Sequence, residues 1–293
     1  MTEHYTTHTA PLLVDAAWLE QHRNDPQLRI LDVTTFLDIP YDGPATLTAG
    51  FEPYQREHIP GAAFADLLNE LSDQDAALPI TVLDPATFAA RLGALGVGDE
   101  THVVVYDQGA MMWATRLWWN LRLEGFDRVS VLDGGLPAWQ QAGYPTESGV
   151  ETYPTAIFTP RRRPELLADK TTVLAAVEGE NPAVVNLLDP DTYSGAAKTY
   201  RRRGHIMRSS NVFFGSLLNA DGTLVPPETV RKQFSGTGVL EAPEPITYCG
   251  GGIAATLGAF QLARAGREDV AVYDGSMNEW ASNTSLPMET GHP

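Results

Sequence analysis

One cysteine, Cys249, is all the thiol this 293-residue chain contains. A single cysteine closes no internal disulfide, so nothing here calls for an oxidising compartment. Positive charge is also scarce: 20 Lys and Arg stand against 37 Asp and Glu, for a formal charge of −17. Nucleic acid and anionic membrane are poor partners for such a chain. No apolar run approaches a bilayer span, and residues 1–10 lack the apolar stretch of a signal peptide. The expectation is a cytoplasmic protein that binds neither nucleic acid nor membrane.

What is present suffices for two ordinary domains, since 43% of the residues are hydrophobic. An amphipathic helix is expected over 15–22 and a buried strand over 28–33. A long loop rich in Pro, Gly and Thr should cover 38–57. A short helix near 65–71 and a helix over 84–95 follow, with Asp84 as N-cap before Pro85. Residues 102–106, a β-branched apolar run, read as a buried strand. Helix over 112–124, strand over 129–132 and helix over 136–142 complete the first half. Residues 143–163 dissolve into Pro, Thr, Tyr and Arg. Helix then returns at 171–178 and 227–234, with strands at 183–188 and 270–273 and a short helix at 277–281. Alternating β and α elements of this size imply parallel sheets with helices on their faces.

The stretch with the most chemistry is 245–260. A β-prone run, Ile246-Thr247-Tyr248, ends in Cys249, three glycines follow, and Ile253, Leu257 and Phe260 then recur at helical spacing. Successive glycines can turn several N–H groups toward one point, and a helix start adds unpaired donors at a positive dipole end. An anion is stabilised there, whether phosphate, thiolate or persulfide. A free cysteine is only about 3% thiolate at pH 7, and such surroundings raise that fraction. A lone cysteine is ordinarily a small buried hydrophobe. Three glycines between strand and helix have no packing value, and they point instead to a reactive thiol.

The halves repeat. His58-Ile59 answers His205-Ile206, and Tyr106-Asp107 answers Tyr248-Cys249. Leu132-Asp133-Gly134-Gly135 with Trp139 answers Tyr273-Asp274-Gly275-Ser276 with Trp280. Matched pairs in one order, at a nearly constant spacing of about 140 residues, indicate a duplicated domain. The first copy carries Asp107 where the second carries Cys249.

Together these residues resemble the tandem-domain rhodanese family, the thiosulfate and 3-mercaptopyruvate sulfurtransferases. One family signature resembles Glu57-His58-Ile59-Pro60-Gly61-Ala62 and, less well, Gly204-His205-Ile206. Another resembles 132–139 and 273–280. The segment running from Val104-Val105-Tyr106-Asp107 to Arg116-Leu117-Trp118-Trp119 is similar to the family's inactive first domain. The likeness spans about 11–288. It implies an α/β fold of two rhodanese-like domains, each a mostly parallel sheet flanked by helices: 11–144 without a thiol, 145–164 as linker and 165–288 as the catalytic copy.

The resemblance makes Cys249 the sulfur carrier, facing a cleft between domains, with Gly250, Gly251, Gly252, Ile253 and Ala254 cradling a persulfide through their N–H groups. The thiolate would take the outer sulfur of thiosulfate or 3-mercaptopyruvate and pass it to cyanide or a thiol. No metal and no organic cofactor is implied. The loop departs from the family in supplying no side-chain donor, and the arginine that commonly follows the domain's first strand is Leu188 here. Met207-Arg208 stands where Pro-Gly is usual. Arg208, Arg203, Arg116 and His58 are the candidate contacts for an anionic donor, with a structural or interdomain role the favoured one for His58. Asp133 and Asp274 read as turn scaffold. Trp113, Trp118 and Trp119 read as packing.

Two other functions compete. A phosphatase or arsenate reductase of the Cys-x5-Arg type needs a guanidinium at the sixth position after the cysteine, and that position is Ala255. A persulfide carrier or sulfur-sensing protein without efficient turnover would use the same thiol.

Overall fold

The computed structural model describes residues 10–38, 46–180 and 183–291. Contacts divide the chain into two units, one comprising Met1–Leu71 and Asp84–Arg162, the other Ser72–Leu83 and Arg163–Pro293.

The first unit is built on a five-stranded parallel sheet. Its order is Leu13–Val14, Val129–Leu132, His102–Tyr106, Leu28–Asp32 and Ala63–Phe64. The middle strand is apolar from Val103 to Tyr106 because helices cover both faces of a parallel sheet. Val103, Val104, Val105 and Tyr106 have no exposed surface. Trp139 is buried and donates its indole N–H to the Pro145 carbonyl (2.8 Å). Trp113, Trp118 and Trp119 are core residues of helix Met112–Leu123.

The second unit repeats this order. Ser210–Asn211, Val184–Asn186, Ile246–Tyr248, Ala271–Tyr273 and Leu167–Ala168 run parallel. Trp280 again donates to a proline carbonyl, that of Pro287 (2.9 Å). The repetition reaches individual hydrogen bonds. Tyr106 and Tyr248 each end the central strand, and their hydroxyls accept the amides of Ile59 (3.2 Å) and Ile206 (3.1 Å). No helix among the described residues is long and apolar enough to cross a membrane.

Several local expectations differ from the structure. Within 38–57, residues 46–49 form a strand antiparallel to Thr35–Asp38, and Phe51–Arg56 is a helix; 39–45 lie outside the described residues, as do 1–9. Residues 65–71 are turns rather than helix. The Asp66 carboxylate accepts the amides of Leu68 (3.0 Å) and Asn69 (2.9 Å) as a helix N-cap would, and its backbone carbonyl accepts those of Glu70 and Leu71, but the turn is not continued into a helix. Residues 145–162 are extended and fastened to the first unit. The Glu147 and His58 backbones pair with each other, the Ala156 amide donates to Gly93, and Thr159 bonds Asp99. Residues 72–83 belong with the second unit, where the Val82 amide donates to the Asp274 carboxylate (3.1 Å). Asp84 caps helix Pro85–Ala94 as expected, accepting the amides of Ala86 and Thr87.

Candidate active site

Cys249 follows the middle strand of the second sheet, at the edge where the strands end. Open parallel sheets ordinarily hold their ligands at that edge. The residue is 2% exposed. Gly252 takes a φ of +75°, which glycine adopts without strain, and the chain then enters helix Ala254–Arg264. Ile253 at the N-cap offers no side-chain acceptor, so the first-turn amides stay open. Among the described residues, the N–H groups of Gly250, Gly251, Ile253, Ala254 and Ala255 have no acceptor. Five donors in the segment that follows Cys249 are thus left without an acceptor.

Ser276 holds this loop in shape. Its Oγ donates to the Tyr273 carbonyl (2.6 Å) and accepts the amides of Cys249 and Gly252, both at 3.1 Å. Backbone bonds from Met277 to the Cys249 carbonyl (3.1 Å) and from Asn278 to the Gly250 carbonyl (2.9 Å) close the bracket. Ser276 is itself in the left-handed region at φ +45°, a strained conformation for a residue with a Cβ. In the sequence it was only the third residue of a turn. Its role depends on two segments that are distant in the chain.

Asp107 displays what the same loop does with an anion. It follows Tyr106 as Cys249 follows Tyr248, and its carboxylate accepts four backbone amides. Gly109 (2.9 Å) and Met111 (3.2 Å) donate to Oδ1, and Trp113 (3.0 Å) and Ala114 (3.1 Å) donate to Oδ2. Burial pushes this carboxyl upward in pKa, and the four amides pull it back. In the first unit the cradle is filled by a side chain. In the second, the side chain at that station is a thiol.

Leu188 packs against the apolar core of the second unit, where the family pattern has an arginine. Tyr200 lies over the loop so closely that a Cβ on Gly250 would overlap its hydroxyl. Burial first, and then the negative charge of Cys249, holds the Tyr200 phenol well above its usual pKa. The phenol therefore stays protonated against the loop that follows Cys249. It makes no hydrogen bond among the described residues. Sequence reasoning passed over Tyr200 because no motif places it. It sits 49 positions before the cysteine and ahead of an arginine run.

The candidate cations have partners within their own units. Arg208, at φ +60°, donates to the carbonyls of Val177 (2.9 Å), Gly179 (2.7 Å) and Glu180 (3.1 Å). Those carbonyls precede strand Val184–Asn186, so the guanidinium sits where the strands begin, at the sheet edge opposite Cys249. Arg202 is spent on the carbonyls of Trp280, Ala281, Asn283 and Leu286. Arg203 uses one nitrogen on the carbonyls of Gly195 (2.9 Å) and Ala196 (2.7 Å). In the first unit, Arg116 is fully buried with its guanidinium 4.8 Å over the Trp119 ring. His58 is buried too, stacked on Tyr54 at 4.3 Å.

Comparison with known proteins agrees with this geometry. The Rhodanese-like domain matches residues 15–142 and 169–283. A 3-mercaptopyruvate sulfurtransferase of Escherichia coli K12 is 33% identical, over 94% of this chain and 97% of that protein. A thiosulfate sulfurtransferase of Bos taurus is 33% identical, over 92% and 91%. The crystal structure of SseA from Escherichia coli, described as a 3-mercaptopyruvate sulfotransferase of rhodanese fold, superposes with a TM-score of 0.80. Its identity is 32%, over 91% of this chain and 99% of that one.

Proposed function

The chain belongs to the rhodanese-like domain family, and from that premise we propose that it is a sulfurtransferase that works through a persulfide on Cys249. The observation that carries this reading is the pair of equivalent loops. One grips the Asp107 carboxylate with four amides, and the other leaves five amides without an acceptor in the segment that follows a thiol.

The Cys249 thiolate attacks the outer sulfur of the donor and forms a new S–S bond. With thiosulfate, the old S–S bond breaks and sulfite leaves with its electron pair. With 3-mercaptopyruvate, the C–S bond breaks and the electron pair leaves on carbon as the pyruvate enolate, which is then protonated. The loop amides hold the persulfide anion. An acceptor thiolate or cyanide then attacks the outer sulfur, and Cys249 departs as thiolate. The reaction needs no metal or organic cofactor. Residues 11–144 are the copy without a thiol, and 165–288 form the catalytic domain. Arg203 follows Tyr200 on one segment, and we assign it to the donor's anionic end. A chain of this charge with one unpaired thiol suits the cytoplasm.

Leu188 favours a second reading, a persulfide carrier that turns over slowly, because the usual cation is missing. Steady-state assay with each donor and cyanide separates the two. Multiple turnovers that vanish in Cys249→Ser support the enzyme. One sulfur released per protein and no more supports the carrier.

A further inference from the structure

His58, Glu147 and Glu151 in the first unit each offer one ligand atom, and the three atoms lie within 4.8 Å of one another. The His58 ring is held in one orientation. Its Nδ1 lies 2.8 Å from the Tyr54 carbonyl, and a carbonyl can only accept, so Nδ1 carries the hydrogen. In the neutral ring, Nε2 therefore bears a lone pair. That atom is buried with the rest of the side chain, has no hydrogen-bond partner among the described residues, and faces Glu147 Oε1 at 3.8 Å. A lone pair aimed at two carboxylates is repulsive unless a cation sits among them.

The surroundings are those of a metal ligand set. A ligating histidine ordinarily donates its other ring N–H to a backbone carbonyl, as His58 does to Tyr54. The Glu147 carboxylate is oriented by the Gly61 amide (2.5 Å), and the backbones of His58 and Glu147 are joined by two hydrogen bonds. The Glu151 amide donates to the Tyr54 hydroxyl (2.9 Å), which fixes that residue on the same ring. Tetrahedral ligands at zinc distances of about 2.0–2.2 Å lie roughly 3.3–3.6 Å apart, so side-chain movements of about 1 Å or less, chiefly by the exposed Glu151, bring the three atoms onto one ion.

The second unit supplies an internal comparison. His205 stacks on Tyr193 (3.7 Å), its Nδ1 lies 2.8 Å from the Tyr193 carbonyl, and its Nε2 lies 3.9 Å from Glu289. There the same glutamate oxygen accepts the Arg208 amide (2.9 Å), and no third carboxylate joins among the described residues. The histidine–glutamate pair belongs to both copies. The third ligand, Glu151, belongs to the first alone.

We propose that His58, Glu147 and Glu151 bind a divalent metal of the zinc class, with the remaining coordination positions open to water or an exogenous ligand. The imidazole selects a borderline ion over calcium or magnesium. The ion stands outside the sulfur chemistry, which needs none.

The test uses full-length Cys249→Ser, which removes the thiol as a rival ligand. The protein is stripped with chelator and titrated calorimetrically with zinc sulfate at pH 7.5. One zinc per chain is expected, with a rise in Tm on loading. Adding Glu151→Gln should weaken binding at least tenfold and abolish the Tm rise, while the metal-free Tm stays unchanged because Glu151 is exposed. Absence of stoichiometric uptake would overturn the proposal. Equal affinity in the Glu151→Gln protein would overturn it as well, by placing the zinc elsewhere.

Discussion

Asp107 and Cys249 hold the same station in two separate sheets. Each follows a tyrosine whose hydroxyl accepts an isoleucine amide, and each has its own carbonyl hydrogen-bonded at 3.1 Å, by Leu136 and Met277 respectively. The two residues differ in what they present to the loop that follows. A carboxylate in that loop collects four N–H bonds, which oppose the desolvation that raises its pKa. A thiolate or persulfide at Cys249 meets the same kind of backbone.

Ser276 is the brace of that backbone. In Ser276→Ala, the amides of Cys249 and Gly252 both lose their buried acceptor, at a cost of about 1–3 kcal/mol. Ser276→Gly loses the same bonds but relieves the positive φ, as Gly135 does at the matching turn of the first unit (φ +57°). The glycine variant should therefore be the more stable of the two by about 1 kcal/mol. Urea denaturation measures the order. Equal stability would mean that the serine backbone carries no strain.

Restoring a cation should speed the reaction with charged donors. Leu188 is partly buried at the core edge, following Asn186, whose side-chain oxygen accepts its amide (2.7 Å). In Leu188→Arg, one charge-assisted contact of about 1.5–3 kcal/mol raises kcat/KM for thiosulfate by roughly tenfold or more. An unchanged kcat/KM in a folded variant would show that position 188 does not reach the donor.

Tyr200 is expected to donate to the sulfur. Tyr200→Phe removes only the hydroxyl, so Cys249 should react several-fold more slowly with iodoacetamide at pH 7, with the difference closing at high pH. Parallel rate profiles across the whole pH range would assign Tyr200 to packing.

Much of this was legible in the sequence because the repeat doubles every signal. Tyr106-Asp107 and Tyr248-Cys249 mark the same strand end twice, and the glycines after Cys249 announce the loop. Strands of two residues, such as Leu13–Val14 and Ser210–Asn211, carry too little pattern to be seen. Their existence depends on neighbours far along the chain. Arg208 illustrates the other limit. Its charge invited an anion-binding role, whereas the structure commits its guanidinium to three carbonyls near a helix end. Ser276, Tyr200 and Glu151 acquire meaning only from tertiary proximity, which no spacing rule encodes.

The central claim is that Cys249 carries sulfur in the amide cradle. Intact-protein mass spectrometry after mixing with thiosulfate, and separately with 3-mercaptopyruvate, tests it most directly. The account predicts a mass gain of one sulfur atom that is absent in Cys249→Ser and is discharged by cyanide. A protein that gains no sulfur from either donor, while iodoacetamide still labels Cys249, would contradict it.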